Sequence, residues 1–320
     1  MSSSTSKILT KLSIMQFCYN ICRSISTSYK LQMKLVQYSY EGCQNFGILK
    51  NDKIINLSSH EGFPNSIVKF LQGGSTLLEK ANIINRSTKN TCLDIKDVKL
   101  LSPITDCEKI ICVGLNYKDH CTEQNLEFPK EPVIFSKFPS SIIATKDNII
   151  LPKISDSVDW EVELAVVIGK EGKQINKVNA MDYVAGYTVA NDVSARDWQM
   201  KKNAKQWLLG KTFDTFCPLG PALITKDAVL DPHNLDLNCV VNGNVVQSSN
   251  TKELIFDIPQ CIEWISKFCT LKPGDVLLTG TPPGVGVFRN PPVFLKNGDV
   301  VSCEIVGIGK IENKVVSDQS

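Results

Sequence analysis

Alternation of apolar and polar residues divides the chain into many short extended segments. Lys34-Leu35-Val36-Gln37-Tyr38 alternates with a period of two, which predicts a first strand that begins near Met33. Similar short runs predict a small β-rich N-terminal domain over residues 33–100. Further along, β-branched runs separated by Gly, Pro and Asn-Gly turns predict a large β-dominated domain over residues 101–320.

Turn residues and helical spacing place the other elements. Asn242-Gly243 is a favoured type I′ hairpin dipeptide and separates two alternating runs, Leu237–Val241 and Val245–Gln247. The candidate helices are Ser66–Leu71, Ser194 to about Lys202, and Ile258–Phe268, the last with Pro259 in its first turn. Because helices are few and short, the predicted fold class is mixed and β-dominated.

Two glutamates share one face of a predicted strand. In Asp159–Ile168, large apolar residues at even positions alternate with Glu161 and Glu163, so period two directs both carboxylates to the same side. The same face continues with Ala165 and Val167, which favours a pocket over solvent. Neighbouring buried carboxylates repel each other and lose hydration, so they need a cation. Taken alone, a Glu-x-Glu strand is equally compatible with an exposed polar face.

A third carboxylate is predicted where a second apolar strand ends. The run Gly186–Ala190 leads into Asn191-Asp192, which puts Asp192 at a strand terminus. Two glutamates and one aspartate suit Mg²⁺ or Mn²⁺ better than zinc. The alternative is a helix cap formed by Asp192 or Ser194, with Asp197 completing a capping-box-like pattern, and we adopt it for Ser194 and Asp197.

Composition narrows the classes of function. The 320 residues are 42% hydrophobic and 21% charged, as in ordinary globular proteins, and the formal net charge is +2. Without a basic block or an apolar run of about 18 residues, we expect neither nucleic-acid nor membrane partners. The 12 cysteines include no C-x-x-C pair and only three histidines occur, which predicts reduced thiols and no zinc site.

The N-terminus is basic, Ser-rich and free of acidic residues. From Met1 to Tyr40 there is no Asp or Glu, whereas lysine and arginine alternate with Ser, Thr, Ile and Leu. This composition is typical of a mitochondrial transit peptide, which we assign to residues 1–32, and a disordered tail is the alternative. We therefore expect the mature protein in the mitochondrial matrix.

Several long motifs in fixed order resemble those of the fumarylacetoacetate hydrolase family. They are Asp159–Glu163, Asn191–Asp197, Gln206–Pro221 and Gly280–Gly286. The resemblance covers roughly Leu101 to Val316. It implies the family's mixed β-roll or β-sandwich catalytic domain, which is usually dimeric, so we expect a homodimer.

The resemblance also implies roles for individual residues. It puts the metal ligands at Glu161, Glu163 and Asp192, in agreement with the strand pattern. The other implied site residues are substrate-binding Arg196, Gln199 and Thr281, and catalytic His120, Glu123 and Lys211.

Helical spacing explains how these residues could act together in two pairs. Arg196 and Gln199 lie three positions apart, so on a helix both side chains reach the mouth of the metal site. His120 and Glu123 have the same spacing, so the carboxylate would orient the imidazole to move a proton or activate water. Lys211 would stabilise developing enolate charge. The sequence does not decide whether Lys211 or the His120–Glu123 pair carries the proton.

These features predict an enzyme dependent on Mg²⁺ or Mn²⁺ that acts on a small 2-oxo dicarboxylate through its enolate. The resemblance favours keto–enol tautomerisation of oxaloacetate, with acylpyruvate hydrolysis or oxaloacetate decarboxylation as alternatives. A non-catalytic metal-binding protein is disfavoured because the full set of site residues is present. A nucleotide loop at Thr279–Gly286 is disfavoured because two prolines remove backbone donors.

Overall fold

A computed structural model describes residues 32–87 and 92–319. The predicted transit peptide lies outside the described residues, apart from Gln32. None of the helices within the described ranges is long and apolar enough to cross a membrane.

Strands dominate the structure, as predicted, and the helices are few and short. The strands are β1 Lys34–Tyr40, β2 Cys43–Lys50, β3 Lys53–Asn56, β4 Cys92–Asp94, β5 Lys99–Leu101, β6 Ile110–Gly114, β7 Val133–Lys137, β8 Ile142–Ile143, β9 Ile149–Leu151, β10 Val158–Asp159, β11 Val162–Ile168, β12 Val184–Asn191, β13 Ser194–Ala195, β14 Cys217–Thr225, β15 Asp236–Val241, β16 Asn244–Asn250, β17 Val276–Leu278, β18 Val300–Ile305 and β19 Gly309–Ser317. The α-helices are α1 Ile67–Gln72, α2 Gly74–Arg86, α3 Lys118–Glu123, α4 Arg196–Met200, α5 Leu208–Lys211 and α6 Ile258–Phe268.

Two sheets face each other across the core. The larger runs in the order β4-β3-β2-β1-β14-β12-β11-β17-β6-β7, with β5 added to β1 and β8 to β14. The smaller runs β16-β15-β18-β19-β9 and packs against β11, β12 and β14. Strands from both sides of residue 100 belong to the larger sheet, and the domain boundary near that residue stays a prediction.

The central strands are buried on both faces, which agrees with the expectation that the glutamate face of residues 159–168 meets a pocket and not solvent. Every residue of β11 is buried, because one face meets the smaller sheet and the other lies within the roll. The apolar core joins Val162, Leu164 and Val189 of the larger sheet to Cys239 and Val301 of the smaller one. Packing two layers of sheet in this way fixes the strand ends that carry polar residues.

Local sequence signals account for most helix boundaries. Helix α6 covers the predicted residues, and Asp257 and Gln260 form a reciprocal capping box at its start. Helix α1 begins after Ser66, whose hydroxyl accepts a hydrogen bond from the backbone of Lys69. The hairpin at Asn242-Gly243 is also confirmed, since β15 and β16 pair around it.

The helix predicted from Ser194 is shorter than expected, and the capping roles were wrong. Ser194 and Ala195 form β13, and α4 spans Arg196–Met200 without a side-chain cap. The Ser194 hydroxyl donates instead to a backbone carbonyl two residues earlier. Asp197 accepts from Ser155 at 2.5 Å, so tertiary contacts replace the local cap.

Candidate metal centre and cavity

Three buried carboxylates meet where two neighbouring strands begin and end. Glu163 lies within β11, Glu161 just before it, and Asp192 directly after β12. The strands are antiparallel, with Val162 opposite Asn191, so the start of β11 lies beside the end of β12. One oxygen from each of the three carboxylates lies within 4.8 Å of the others. The structure therefore brings together all three predicted metal ligands.

Backbone hydrogen bonds hold this cluster in place. The Glu161 amide donates to Asn191 Oδ1 at 2.9 Å, and the Asp192 amide donates to the Glu161 carbonyl at 2.8 Å. Glu163 Oε2 accepts from the Gly280 amide at 2.7 Å. Gly280 has φ +103°, and a Cβ there would lie 2.8 Å from Asn116 Cβ. Only glycine therefore allows the backbone to come this close to Asn116.

Three buried cations surround the carboxylates. The Lys211 ammonium donates to Glu161 Oε2 at 2.8 Å and to Asp192 Oδ2 at 2.7 Å. Arg196 Nη1 lies 2.6 Å from Glu161 Oε1, and the Lys137 ammonium lies 2.7 Å from Asp192 Oδ1. Both oxygens of Glu161 and of Asp192 therefore have cationic partners.

Glu163 carries the negative charge that these cations leave unbalanced. Four buried carboxylates, including Asp159, face three buried cations, and the Glu163 carboxylate has no ion pair among the residues described. Burial, followed by the charges of Asp192 and Glu161, raises the pKa of Glu163 well above its ordinary value. For Glu161, burial opposes ionisation, but Lys211 and Arg196 overcome it and lower the pKa.

This donor set fits a hard divalent cation. Carboxylate oxygens are the ligands that Mg²⁺ and Mn²⁺ prefer, and oxygens already bonded to lysine or arginine retain further lone pairs. A divalent charge would also offset the excess negative charge at Glu163. Glu161, Glu163 and Asp192 are therefore the residues that could hold the ion.

Asp159 connects the helix that carries Arg196 to a loop beside the cavity. Its carboxylate accepts from the Gly286 amide at 2.7 Å, the Val287 amide at 3.0 Å and Arg196 Nε at 2.8 Å. Arg196 Nη1 also donates to Gln199 Oε1 at 2.8 Å, which confirms that the two side chains share a face of α4. Arg196 Nη2 is buried without a partner among the described residues and is free to meet a ligand.

The predicted dyad forms on the short helix α3. His120 Nδ1 lies 3.1 Å from Glu123 Oε2, and His120 Nε2 lies 2.9 Å from Gln124 Nε2. A proton on Nδ1 satisfies both contacts, because Glu123 then accepts and Nε2 accepts from the Gln124 amide. Glu123 Oε1 also accepts from the Gly284 amide at 3.1 Å, which fixes α3 to the loop at residues 280–288.

Thr281 reaches the same cavity with its hydroxyl already engaged. It donates to the Val162 carbonyl at 3.0 Å and accepts from Gln247 Nε2 at 2.9 Å. Gln247 Oε1 in turn accepts from the Val162 amide at 3.0 Å. Substrate contact by Thr281 stays a prediction, and Gln247 determines where its hydroxyl points.

Seven of the nine predicted site residues line one cavity of about 360 Å³, whereas Asp192 and Glu123 are not among its lining residues. This volume is at the small end of the ~300–1,000 Å³ range of ligand pockets, as suits a small acid. The cavity contains His120, Glu161, Glu163, Arg196, Gln199, Lys211 and Thr281. The Lys211 ammonium also lies 4.8 Å from the centre of the Phe135 ring, and the Phe135 and Trp207 ring centres are 5.4 Å apart. Phe135 and Trp207 therefore form an aromatic wall of the cavity that begins beside Lys211.

Sequence reasoning missed three supporting residues. Lys137, Asp159 and Gln247 are buried polar residues that hold the ligands, Arg196 and Thr281 in place. Asp159 belongs to the Asp159–Glu163 motif, and its position beside Trp160 indicates a buried carboxylate. Lys137 and Gln247 lie in ordinary strand sequence, and only the sheet pairing shows what they contact.

Comparison with known proteins agrees with this geometry. Residues 109–316 match the family model described as fumarylacetoacetate (FAA) hydrolase C-terminal. The chain belongs to the fumarylacetoacetate hydrolase family. A curated relative from Xenopus laevis, named "Oxaloacetate tautomerase fahd2, mitochondrial", is 57% identical over 299 residues, covering 92% of this chain and 93% of the relative.

Solved structures of this family share the fold. A putative HpcE protein from Mycobacterium smegmatis superposes with a TM-score of 0.80 at 36% identity, covering 88% of this chain and 99% of that chain. Maleylpyruvate hydrolase from Sphingobium sp. SYK-6, solved with manganese(II) and pyruvate, has a TM-score of 0.75 at 28% identity, covering 90% of this chain and 100% of that chain. These likenesses confirm the predicted fold class and the family.

Proposed function

We propose that the protein is a mitochondrial, divalent-metal-dependent oxaloacetate keto–enol tautomerase whose active site is the 360 Å³ cavity. The observation that carries this proposal is the buried carboxylate trio with one unbalanced charge, next to a free arginine donor and a His–Glu pair. The Xenopus relative's name supports the reaction and the compartment, and the acid-free N-terminus supports import to the matrix. We expect Mg²⁺ or Mn²⁺ at Glu161, Glu163 and Asp192, and a homodimer in solution.

The bound cation would act as a Lewis acid toward a 2-oxo acid and make its C3 protons more acidic. Arg196 Nη2 is placed to donate to the substrate carboxylate, and Gln199 holds that guanidinium in position. Lys211 supplies positive charge next to the ligand oxygens, where negative charge develops in the transition state. These donors are fixed before the substrate arrives, which is how a preorganised site lowers a barrier.

The geometry favours His120 over Lys211 as the proton carrier. The Lys211 ammonium is ion-paired to two carboxylates and has no lone pair with which to accept a proton. His120 Nε2 has that lone pair, while Glu123 holds the proton on Nδ1 and orients the ring. Gln124 must leave Nε2 before the histidine can take a proton from C3.

The test follows the ultraviolet decay of enol-oxaloacetate with purified protein and Mg²⁺ or Mn²⁺, beside a coupled assay for pyruvate. Faster enol decay without pyruvate supports the tautomerase. Stoichiometric pyruvate indicates the decarboxylase instead, and cleavage of acylpyruvates indicates the hydrolase. Mn²⁺ binding without turnover in any of these assays would refute the proposal that the protein is an enzyme and would indicate a non-catalytic metal-binding protein.

Variants separate the roles. His120→Ala should lower kcat by about 10²–10⁴-fold while Mn²⁺ binding persists, since general acid–base groups contribute on that scale. Glu161→Ala and Asp192→Ala should lose both Mn²⁺ binding and turnover. Retained turnover in His120→Ala would return the proton-carrier role to Lys211.

A further inference from the structure

We propose that Lys205, at the cavity mouth, binds the distal carboxylate of the substrate and thereby selects 2-oxo dicarboxylates over monocarboxylates. This inference rests on the proposed function and assigns to one side chain the recognition of the second carboxylate. Lys205 lines the same cavity as Glu161 and Arg196, and it is exposed whereas they are buried.

Lys205 differs from the other cavity cations in its charge balance. The ammonium of Lys211 and the guanidinium of Arg196 are both paired with buried carboxylates. The Lys205 ammonium has no ion pair or hydrogen bond among the residues that the structure describes. It is therefore a positive charge at the cavity that no carboxylate of the described chain offsets.

The aromatic wall sets Lys205 apart from the carboxylate cluster. Lys211 contacts the Phe135 ring, Phe135 contacts Trp207, and Lys205 precedes Trp207 by two residues. A short dicarboxylate with its 2-oxo acid end at the cluster would extend along this wall. Its other carboxylate would then point to the mouth, where Lys205 is the unpaired cation.

The turn that carries Lys205 adopts a costly backbone conformation. Asn203, Ala204 and Lys205 all have positive φ values, of 48°, 51° and 63°. Consecutive left-handed residues other than glycine are unfavourable, and such conformations concentrate at functional sites.

Contacts on the N-terminal side of the turn help to hold it. The Lys202 ammonium bonds to Asp197 at 2.8 Å and lies 4.7 Å from the Trp198 ring centre, and the Lys205 amide donates to the Lys202 carbonyl at 2.9 Å. These contacts fix the backbone from which the Lys205 side chain reaches the cavity.

The experiment compares oxaloacetate with its 4-methyl ester, in which a neutral ester replaces the distal carboxylate. In Lys205→Gln, KM for oxaloacetate should rise about fivefold to tenfold, the value of a charge-assisted hydrogen bond reduced by solvent exposure. The kcat should change less than about twofold, because a contact made equally in ground and transition states affects binding alone. The methyl ester should show no change.

Two further variants sharpen the test. Lys205→Arg should restore the oxaloacetate KM, and Lys205→Glu should raise it beyond the Lys205→Gln value by like-charge repulsion. Lys201→Gln is the matched control, since Lys201 is an exposed neighbour that does not line the cavity. Equal losses for oxaloacetate and the ester, or no loss in Lys205→Gln, would overturn the inference.

Ligand binding to the Mn²⁺-loaded protein, measured by calorimetry, tests the role of Lys205 independently of the proposed reaction. Wild-type protein should bind oxaloacetate more tightly than the ester, and Lys205→Gln should remove that preference even when no turnover is detected. Failure of the tautomerase would then appear as binding without enol decay. Equal wild-type affinity for the two ligands would reject the role of Lys205 whatever the reaction.

Discussion

Replacing Glu163 with glutamine should stabilise the metal-free protein and abolish its response to metal. Glu163 is buried among Glu161 and Asp192 without a cation of its own, so its ionised form is unfavourable when no metal is bound. Glutamine has nearly the same shape, and its carbonyl oxygen still accepts the hydrogen bond from the Gly280 amide. The variant removes the cost of protonating this carboxylate, or of burying it ionised, and it keeps nearly the same packing.

The size of the effect follows from proton linkage. The pKa of Glu163 is raised in the folded protein, so the folded state binds more protons than the unfolded state, and stability falls as pH rises above the ordinary glutamate pKa of 4.5. About 2.5 pH units separate 4.5 from neutrality, and each is worth about 1.4 kcal/mol, which sets a limit of about 3.5 kcal/mol. We therefore expect Glu163→Gln to gain about 1–3 kcal/mol at pH 7, and less as the pH approaches 4.5.

Metal should act against this difference in stability, because only the wild-type protein binds it tightly. At a concentration 100 times its dissociation constant, Mn²⁺ stabilises the wild-type protein by about 2.7 kcal/mol, which corresponds to roughly 5 °C in melting temperature. The variant should bind Mn²⁺ at least about 100-fold more weakly, because even supporting residues around a metal contribute up to that factor.

The assay is urea unfolding with EDTA and with Mn²⁺, at several pH values, for wild type, Glu163→Gln and the exposed control Glu171→Gln. The control should match wild type under every condition. A Glu163→Gln protein less stable than wild type in EDTA at pH 7, or equal stabilisation of both proteins by Mn²⁺, would contradict this role of Glu163.

Three further substitutions test the supporting contacts. Lys137→Met should cost about 3–5 kcal/mol in urea unfolding, since it leaves one oxygen of buried Asp192 without its cation, and a loss under 1 kcal/mol would contradict that role. Gly286→Ala should destabilise the fold by more than about 2 kcal/mol, because the added Cβ would overlap the Val293 carbonyl, and an unchanged melting temperature would show that the loop can move aside. Asn116→Ala should speed the hydrogen exchange of backbone amides near α3, because the Asn116 side chain bonds to backbone groups of Phe256 and Thr279. Equal exchange rates in the variant and the wild type would show that these bonds do not hold α3 in place.

The sequence was sufficient for the parts of the site that depend on local spacing. Period two in β11 and the strand end at Asp192 predicted the trio, and helical spacing predicted the contact of His120 with Glu123. Sheet pairing then had only to bring two strand ends together.

Other features depended on residues far apart in the chain and could not be predicted. Lys137 reaches Asp192 across 55 positions, and Gln247 reaches Thr281 across 34. The expected cap at Ser194 failed for the same reason, since a strand pairing with β10 used that residue instead. Propensity describes neighbours along the chain, whereas these contacts are set by the packing of layers.

The position of β1 in the middle of the larger sheet has a consequence for how the protein folds. β1 lies between β2 and β14, and the Met33 amide bonds to the Thr225 hydroxyl, 192 positions away. Strand β5 pairs with the second half of β1 early in the chain, but Lys34 and Leu35 gain β14 as a neighbour only after about two thirds of the chain is available. Such long-range closure slows folding and leaves apolar strand edges exposed to aggregation in the meantime. Refolding should accordingly be slow and strongly assisted by chaperones.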